Sequence, residues 1–210
     1  MIKLSKVTKT LKGHDVVKDV SLTFEKGNIY LLKGHNGSGK TMLLRLLCGL
    51  ITPTSGTIEK GEYTYGVIIE TPSFVEHETA RQNLRFLASI QKKIDMKGIE
   101  EASAKVNLSD VIDKKVKKYS LGMKQRLAFC QAIMEDPDVY LLDEPFNALD
   151  DEHFDLILGM IQEMKEDKLV VIAAHGFDSD KYPIFNQIIT MGDGKIEDIK
   201  IIENENRREV

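Results

Sequence analysis

The sequence predicts an α/β protein with a parallel sheet at its centre. Three observations predict it. The chain opens on strands, at residues 2–7 and 21–25, in which apolar and polar side chains alternate. An apolar strand at residues 29–32 then runs through a glycine-rich loop straight into a helical stretch at 42–50. In the second half, short apolar runs at 139–142, 169–173 and 187–191 alternate with helical pattern, the order that gives parallel strands joined by crossover helices. With 210 residues, 42% of them hydrophobic, the chain can bury a sizeable core as one compact domain, or one domain with a subdomain.

In chain order, the opening strands are bounded by the turns Lys12-Gly13-His14 and Lys26-Gly27-Asn28. The strand, loop and helix of residues 29–50 follow, then a turn at Thr52-Pro53-Thr54-Ser55-Gly56 and an apolar strand at 65–69. From about 77 to 135 the pattern is mainly helical, with Leu84, Leu87, Ala88 and Gln91 setting the period. That stretch interrupts the α/β alternation and is expected to form a helical subdomain within a single domain spanning 1–210. After it come a strand at 139–142, a helix at 152–166 and strands at 169–173 and 187–191; the polar tail at 203–208 is expected to fray.

Composition narrows the function. A net charge of −4 gives no global basic field, so nucleic acid is not expected as a partner. The run Lys114-Lys115-Val116-Lys117-Lys118 reads as a solvated face. Cys48 and Cys130 each sit in an apolar helical pattern, as buried reduced thiols of a cytosolic protein do. Residues 1–6 carry no apolar signal segment. The most apolar stretch, 42–51, contains Arg45 and falls well short of the roughly 20 residues a membrane span requires. A membrane role would need another chain to cross the bilayer.

Gly34-His35-Asn36-Gly37-Ser38-Gly39-Lys40-Thr41 spells G-x-x-x-x-G-K-T between the strand and the helix, the context in which that motif is a P-loop. Its glycines let the backbone N–H groups turn inward around a phosphate chain, and the following helix points its positive end at the same place. Lys40 is expected to reach the β/γ-phosphates and Thr41 to hold Mg²⁺ through its hydroxyl. The run Val139-Tyr140-Leu141-Leu142-Asp143-Glu144-Pro145 ends a buried strand in two carboxylates, at the end of an open α/β sheet where ligands collect. Strand alternation would aim Asp143 at the metal, while Glu144, turned by Pro145, would face an attacking water as general base or orienting group. Between the two motifs, Ser120-Leu121-Gly122-Met123 opens a helix, with Ser120 as N-cap and Gly122 allowing close backbone approach. A second phosphate-reading surface in a chain with one P-loop points to a nucleotide brought by a second subunit.

Over its whole length the chain resembles the nucleotide-binding domain of ATP-binding-cassette (ABC) transporters. Gly34 to Thr41 match the Walker A loop and Leu141 to Glu144 the end of Walker B; Ser120-Leu121-Gly122-Met123 stands where the family usually has Ser-Gly-Gly-Gln. Asn147-Ala148-Leu149-Asp150 resembles the D-loop, and His175 matches the switch histidine that contacts the γ-phosphate. The resemblance implies a P-loop NTPase core with an N-terminal antiparallel β subdomain and a helical signature subdomain. It also implies an ATPase that uses ATP and Mg²⁺. Two such subunits, identical or related, would share two nucleotides head to tail, each site taking Ser120 and Gly122 from one subunit and the remaining groups from the other. A polytopic membrane subunit would place the protein in the cytoplasm, against the inner face of the membrane.

Three departures from the family pattern are informative. Glu70 occupies the Q-loop position, where the family has glutamine, and by position falls near the metal. With the Ser-Leu-Gly-Met string and Thr71-Pro72-Ser73-Phe74, it resembles the bacitracin-resistance and lantibiotic-immunity subgroup of exporters, which implies a peptide antibiotic or similar amphipathic cargo. Leu11 stands where the family usually stacks an aromatic ring on adenine, and is expected to pack on the base without a π face. The alternatives are a soluble ABC ATPase of translation or DNA repair, which usually carries two cassettes or a long coiled coil, and a regulator without turnover, which the retained Lys40, Asp143, Glu144 and His175 disfavour.

Overall fold

The computed structural model describes residues 1–70 and 73–202. Two sheets and a set of helices are stacked around one central layer. That layer is a six-stranded sheet of β3 (Asn28–Lys33), β5 (Tyr65–Ile68), β6 (Val139–Asp143), β7 (Leu169–Ala174), β8 (Gln187–Gly192) and β9 (Lys195–Ile201), ordered β5-β6-β7-β3-β8-β9. All its pairings are parallel except β8 with β9. The second sheet is antiparallel and three-stranded, with β1 (Ile2–Leu11) between β2 (His14–Phe24) and β4 (Ser55–Lys60).

Both faces of the central sheet are covered over β3, β6 and β7, which is why those strands read as apolar runs. Successive residues serve opposite cores. Tyr30, Leu32, Leu141 and Val171 face the antiparallel sheet and α1 (Lys40–Cys48), together with Leu43, Leu44 and Leu47. Ile29, Leu31, Leu142 and Ile172 face the other helices: α2 (Ala80–Gln91), α3 (Met96–Lys105), α4 (Leu121–Ile133) and α5 (Asp151–Met164). α2, α3 and α4 all fall inside the helical stretch read at 77–135.

The differences from the sequence reading have local causes. β1 and β2 run longer than 2–7 and 21–25 because bulges break their period: the register shifts between Leu4 and Val7 and again on either side of Lys9, with Lys6 at φ 49° and Asp19 at φ 50°. β4 begins inside the expected turn at 52–56, and β9 was not expected at all. Both are sheet edges exposed along most of their length, so neither carries an apolar period. α1 starts two residues before Met42, because Gly39 takes the left-handed cap. Thr71, Pro72 and the tail expected to fray lie outside the described residues.

Candidate functional site

β3 delivers the chain into the loop 34–39, and α1 leaves it. The tip, His35-Asn36-Gly37, is exposed, while Ser38 and Lys40 are buried. Gly39 sits at φ 102°, and a Cβ there would come within 2.6 Å of the Val16 carbonyl oxygen, so no other residue lets β2 approach this closely. Within the loop, the Ser38 N–H donates to His35 O at 3.1 Å and the His35 ring pairs through Nδ1 with the Asn36 carbonyl at 2.8 Å. Gly34 lies where a Cβ would meet Met191 O, at the end of β8.

Lys40 is 6% exposed, and its Nζ donates to the carbonyls of Gly34 at 2.8 Å and His35 at 3.2 Å. Among the described residues no carboxylate forms an ion pair with it. The hydroxyl of Ser38, fully buried, has no hydrogen-bond partner among them either, and the first turn of α1 holds no acidic residue. A buried cation, an unsatisfied hydroxyl and a bare helix N-terminus in one loop fit an oxyanion chain such as a polyphosphate.

Thr41, one residue on, donates its hydroxyl to Asp143 Oδ2 at 2.6 Å. Asp143 is the last residue of β6 and 7% exposed. Burial raises its carboxyl above the ordinary value; the Thr41 bond works against that shift, the neighbouring Glu144 charge adds to it, and a backbone hydrogen bond from Glu70 and the charge of Lys40 oppose it. A hydroxyl beside a carboxylate is a hard-cation donor pair. No three His, Cys, Asp or Glu side chains gather as a cage among the described residues, so Mg²⁺ here would complete its shell with phosphate oxygens and water. Glu70, the third expected ligand, has φ 62°, and its side chain reaches the guanidinium of Arg45 on α1 at 2.6 Å. The structure thus joins Glu70 to the site through its backbone and holds its carboxylate on Arg45.

Glu144 lies beyond the end of β6, so strand alternation is not what turns it away from Asp143. Its own backbone does, at φ 49°, anchored by its N–H on Ala173 O at 2.8 Å. Its Oε1 receives the His175 N–H at 3.0 Å and stands 2.5 Å from His175 Nδ1. An ionised carboxylate only accepts, so that ring nitrogen carries the proton. Gln125, a buried side chain of α4, donates to Glu144 O at 3.2 Å and Pro145 O at 3.1 Å. Two residues past each member of the pair stand Phe146 and Phe177, whose rings are 5.2 Å apart. Gln125 and Arg45 were not singled out in the sequence; a glutamine in register with the apolar face of its helix and an arginine inside the most apolar stretch were the available signals.

Ser120 and Gly122 do not meet the loop 34–41. Ser120 caps α4, accepting from the Met123 N–H at 3.2 Å, and a Cβ on Gly122 would lie 2.6 Å from Ala148 O. Together with Arg126, Leu149, Asp150 and His153 they line an open cleft of about 510 Å³ that contains no residue of 34–41. Leu11 ends β1 opposite His14 at the hairpin tip and is 39% exposed.

Comparison with known proteins places this geometry. The ABC transporter family profile matches residues 17–147. The ABC transporter ATP-binding protein YybJ of Bacillus subtilis (strain 168) is 40% identical over 208 residues, covering 94% of this chain and 95% of that protein. The bacitracin transport ATP-binding protein BcrA of Enterococcus faecalis is 33% identical, covering 97% of this chain and 70% of its own length. The dimeric structure of MJ0796, a bacterial ABC transporter cassette, superposes with a TM-score of 0.87 at 25% identity, covering 97% of this chain and 100% of that one.

Proposed function

The chain belongs to the ABC transporter family of ATP-binding proteins, and from that premise we propose that it drives an exporter of a peptide antibiotic or similar amphipathic compound, together with a separate polytopic membrane subunit. It is an ABC ATPase, and it binds ATP. The observation that carries the mechanism is the placing of Glu144. Its carboxylate is fixed by His175 beside, but not on, the Thr41–Asp143 pair, so it remains available to a water.

In this reading, the N–H groups of 34–41 and Lys40 bind the phosphates. Thr41 and Asp143 would hold Mg²⁺, which neutralises charge on the phosphate oxygens when bound. Glu70 would join them as the third ligand of the metal position. Glu144 orients and deprotonates the water, and His175 keeps it in place and faces the γ-phosphate. Ser120 and Gly122 open onto a cleft of their own, which supports their use by the nucleotide of a second ATPase subunit, identical or related. Leu11 packs against adenine.

Export and cargo rest on the bacitracin transport relatives. The membrane subunit rests on two facts. No helix among the described residues is long and apolar enough to cross a membrane. And α2 presents Phe86, 68% exposed, and Ile90, 67% exposed, one turn apart, while the exposed Val75 is hydrogen-bonded to Asn83 of the same helix. That patch would seat the cytosolic loops of the partner and hold the protein on the inner face of the membrane. The test is deletion and complementation of the gene with growth on bacitracin and lantibiotics. Sensitivity on deletion, with a multi-span protein co-purifying from membranes, is the expected result. Unchanged resistance to these compounds overturns the cargo, and purification free of any polytopic protein overturns the membrane role.

A further inference from the structure

We propose that Arg45 is a positioning residue that holds the Glu70 carboxylate in reserve, so that Arg45 and the divalent cation compete for it. The inference rests on the nucleotide reading above and adds to it a residue that sets the cation requirement.

The geometry is a closed circuit. Thr41 and Arg45 are four apart on α1 and so lie on one face, a turn apart. Thr41 donates to Asp143 at 2.6 Å, Asp143 accepts the Glu70 N–H, and the Glu70 carboxylate returns to Arg45 at 2.6 Å. Glu70 is therefore tethered to the metal position by its backbone while its charge faces the helix behind. Its left-handed φ of 62° is a strained conformation for a residue with a side chain, sustained by bonds at both ends. The ion pair itself is open to water, with the Glu70 side chain 57% exposed and that of Arg45 29% exposed. Pairs of this kind are weak. A divalent cation at Thr41 and Asp143 offers the carboxylate a doubly charged alternative, so the arginine can yield it, and the exchange raises the cation concentration needed for occupancy.

The experiment titrates Mn²⁺ into purified protein with the non-hydrolysable nucleotide AMP-PNP, counting free Mn²⁺ by electron paramagnetic resonance. Arg45→Gln should lower the half-saturating Mn²⁺ about three- to fivefold, the weight of a partly exposed ion pair. Arg45→Lys should restore the wild-type curve. In a Glu70→Gln background, Arg45→Gln should change nothing. Identical curves for wild type and a folded, AMP-PNP-binding Arg45→Gln protein would overturn the proposal. A shift that persists with glutamine at 70 would overturn it too, by placing the effect outside the pair. Wild type that takes up no AMP-PNP would overturn the nucleotide reading first, and this inference with it.

Discussion

Glu144 is held by a single residue twice over: the His175 backbone N–H lies 3.0 Å from its Oε1, and the ring Nδ1 stands 2.5 Å from the same oxygen. The pair bridges the ends of β6 and β7, neighbours in the central sheet. Removing the ring leaves the backbone bond but frees the carboxylate to swing. His175→Ala is expected to lower kcat about a hundredfold, the usual weight of a positioned general base. Nucleotide binding should hold within a few-fold, as measured by fluorescent-nucleotide titration. An unchanged kcat would show that the histidine does not set Glu144.

Gly122 is expected to act without touching nucleotide in its own subunit. A methyl group added there meets Ala148 O at 2.6 Å and pushes the loop Asn147-Ala148-Leu149-Asp150 away from α4. Gly122→Ala should leave nucleotide affinity of the isolated monomer near wild type and cut turnover about tenfold or more, since misplacement on this scale is costly in an aligned site. Equal turnover would remove this residue from the shared site.

The hairpin tip offers a gain of function. Leu11→Tyr adds aromatic contact and should tighten ATP binding by about 0.5–1.5 kcal/mol in equilibrium titration. The same affinity in both proteins would mean that adenine packs elsewhere.

A stability prediction falls at the opposite end of the sheet. Asp138, which precedes β6, accepts from Lys26 Nζ at 2.6 Å and from the N–H and hydroxyl of Thr64 at 3.0 and 2.8 Å, tying together the starts of β3, β5 and β6. The Lys26 hydrogen bond, then the Thr64 bonds, hold its carboxyl well below the usual carboxylate range. A depressed folded-state pKa gives stability that is present above the unfolded value of about 4 and lost as pH falls through the folded one. Asp138→Asn should therefore cost about 1 kcal/mol in urea melts at pH 7, a modest figure because the pair is open to water, and the gap should close as pH falls below about 4. A gap constant with pH would exclude the charge as its source.

What the sequence made legible was whatever depends on contiguous residues. The loop 34–41, the carboxylate pair at the end of β6 and the Ser120 cap are each one local string, and the apolar runs of β3, β6 and β7 follow from burial on both faces. Relationships set by tertiary packing were not visible. Arg45 and Glu70 are far apart in the chain, and Gln125 meets the Glu144 loop only because α4 packs beside it. Edge strands β4 and β9 escaped because solvent exposure erases the period that announces a strand.

The most direct test of the account is phosphate release by purified wild type and Glu144→Gln in Mg-ATP, with gel filtration of both. The account predicts steady release by wild type. It predicts a loss of most turnover in Glu144→Gln with ATP still bound, because only the water-activating carboxylate is gone, and an arrested ATP-bound dimer on the column. Lys40→Ala should fail earlier, at binding, through loss of a charge-assisted contact worth about 1.5–3 kcal/mol. Wild-type phosphate release by Glu144→Gln would contradict the assignment of Glu144 and the mechanism built on it.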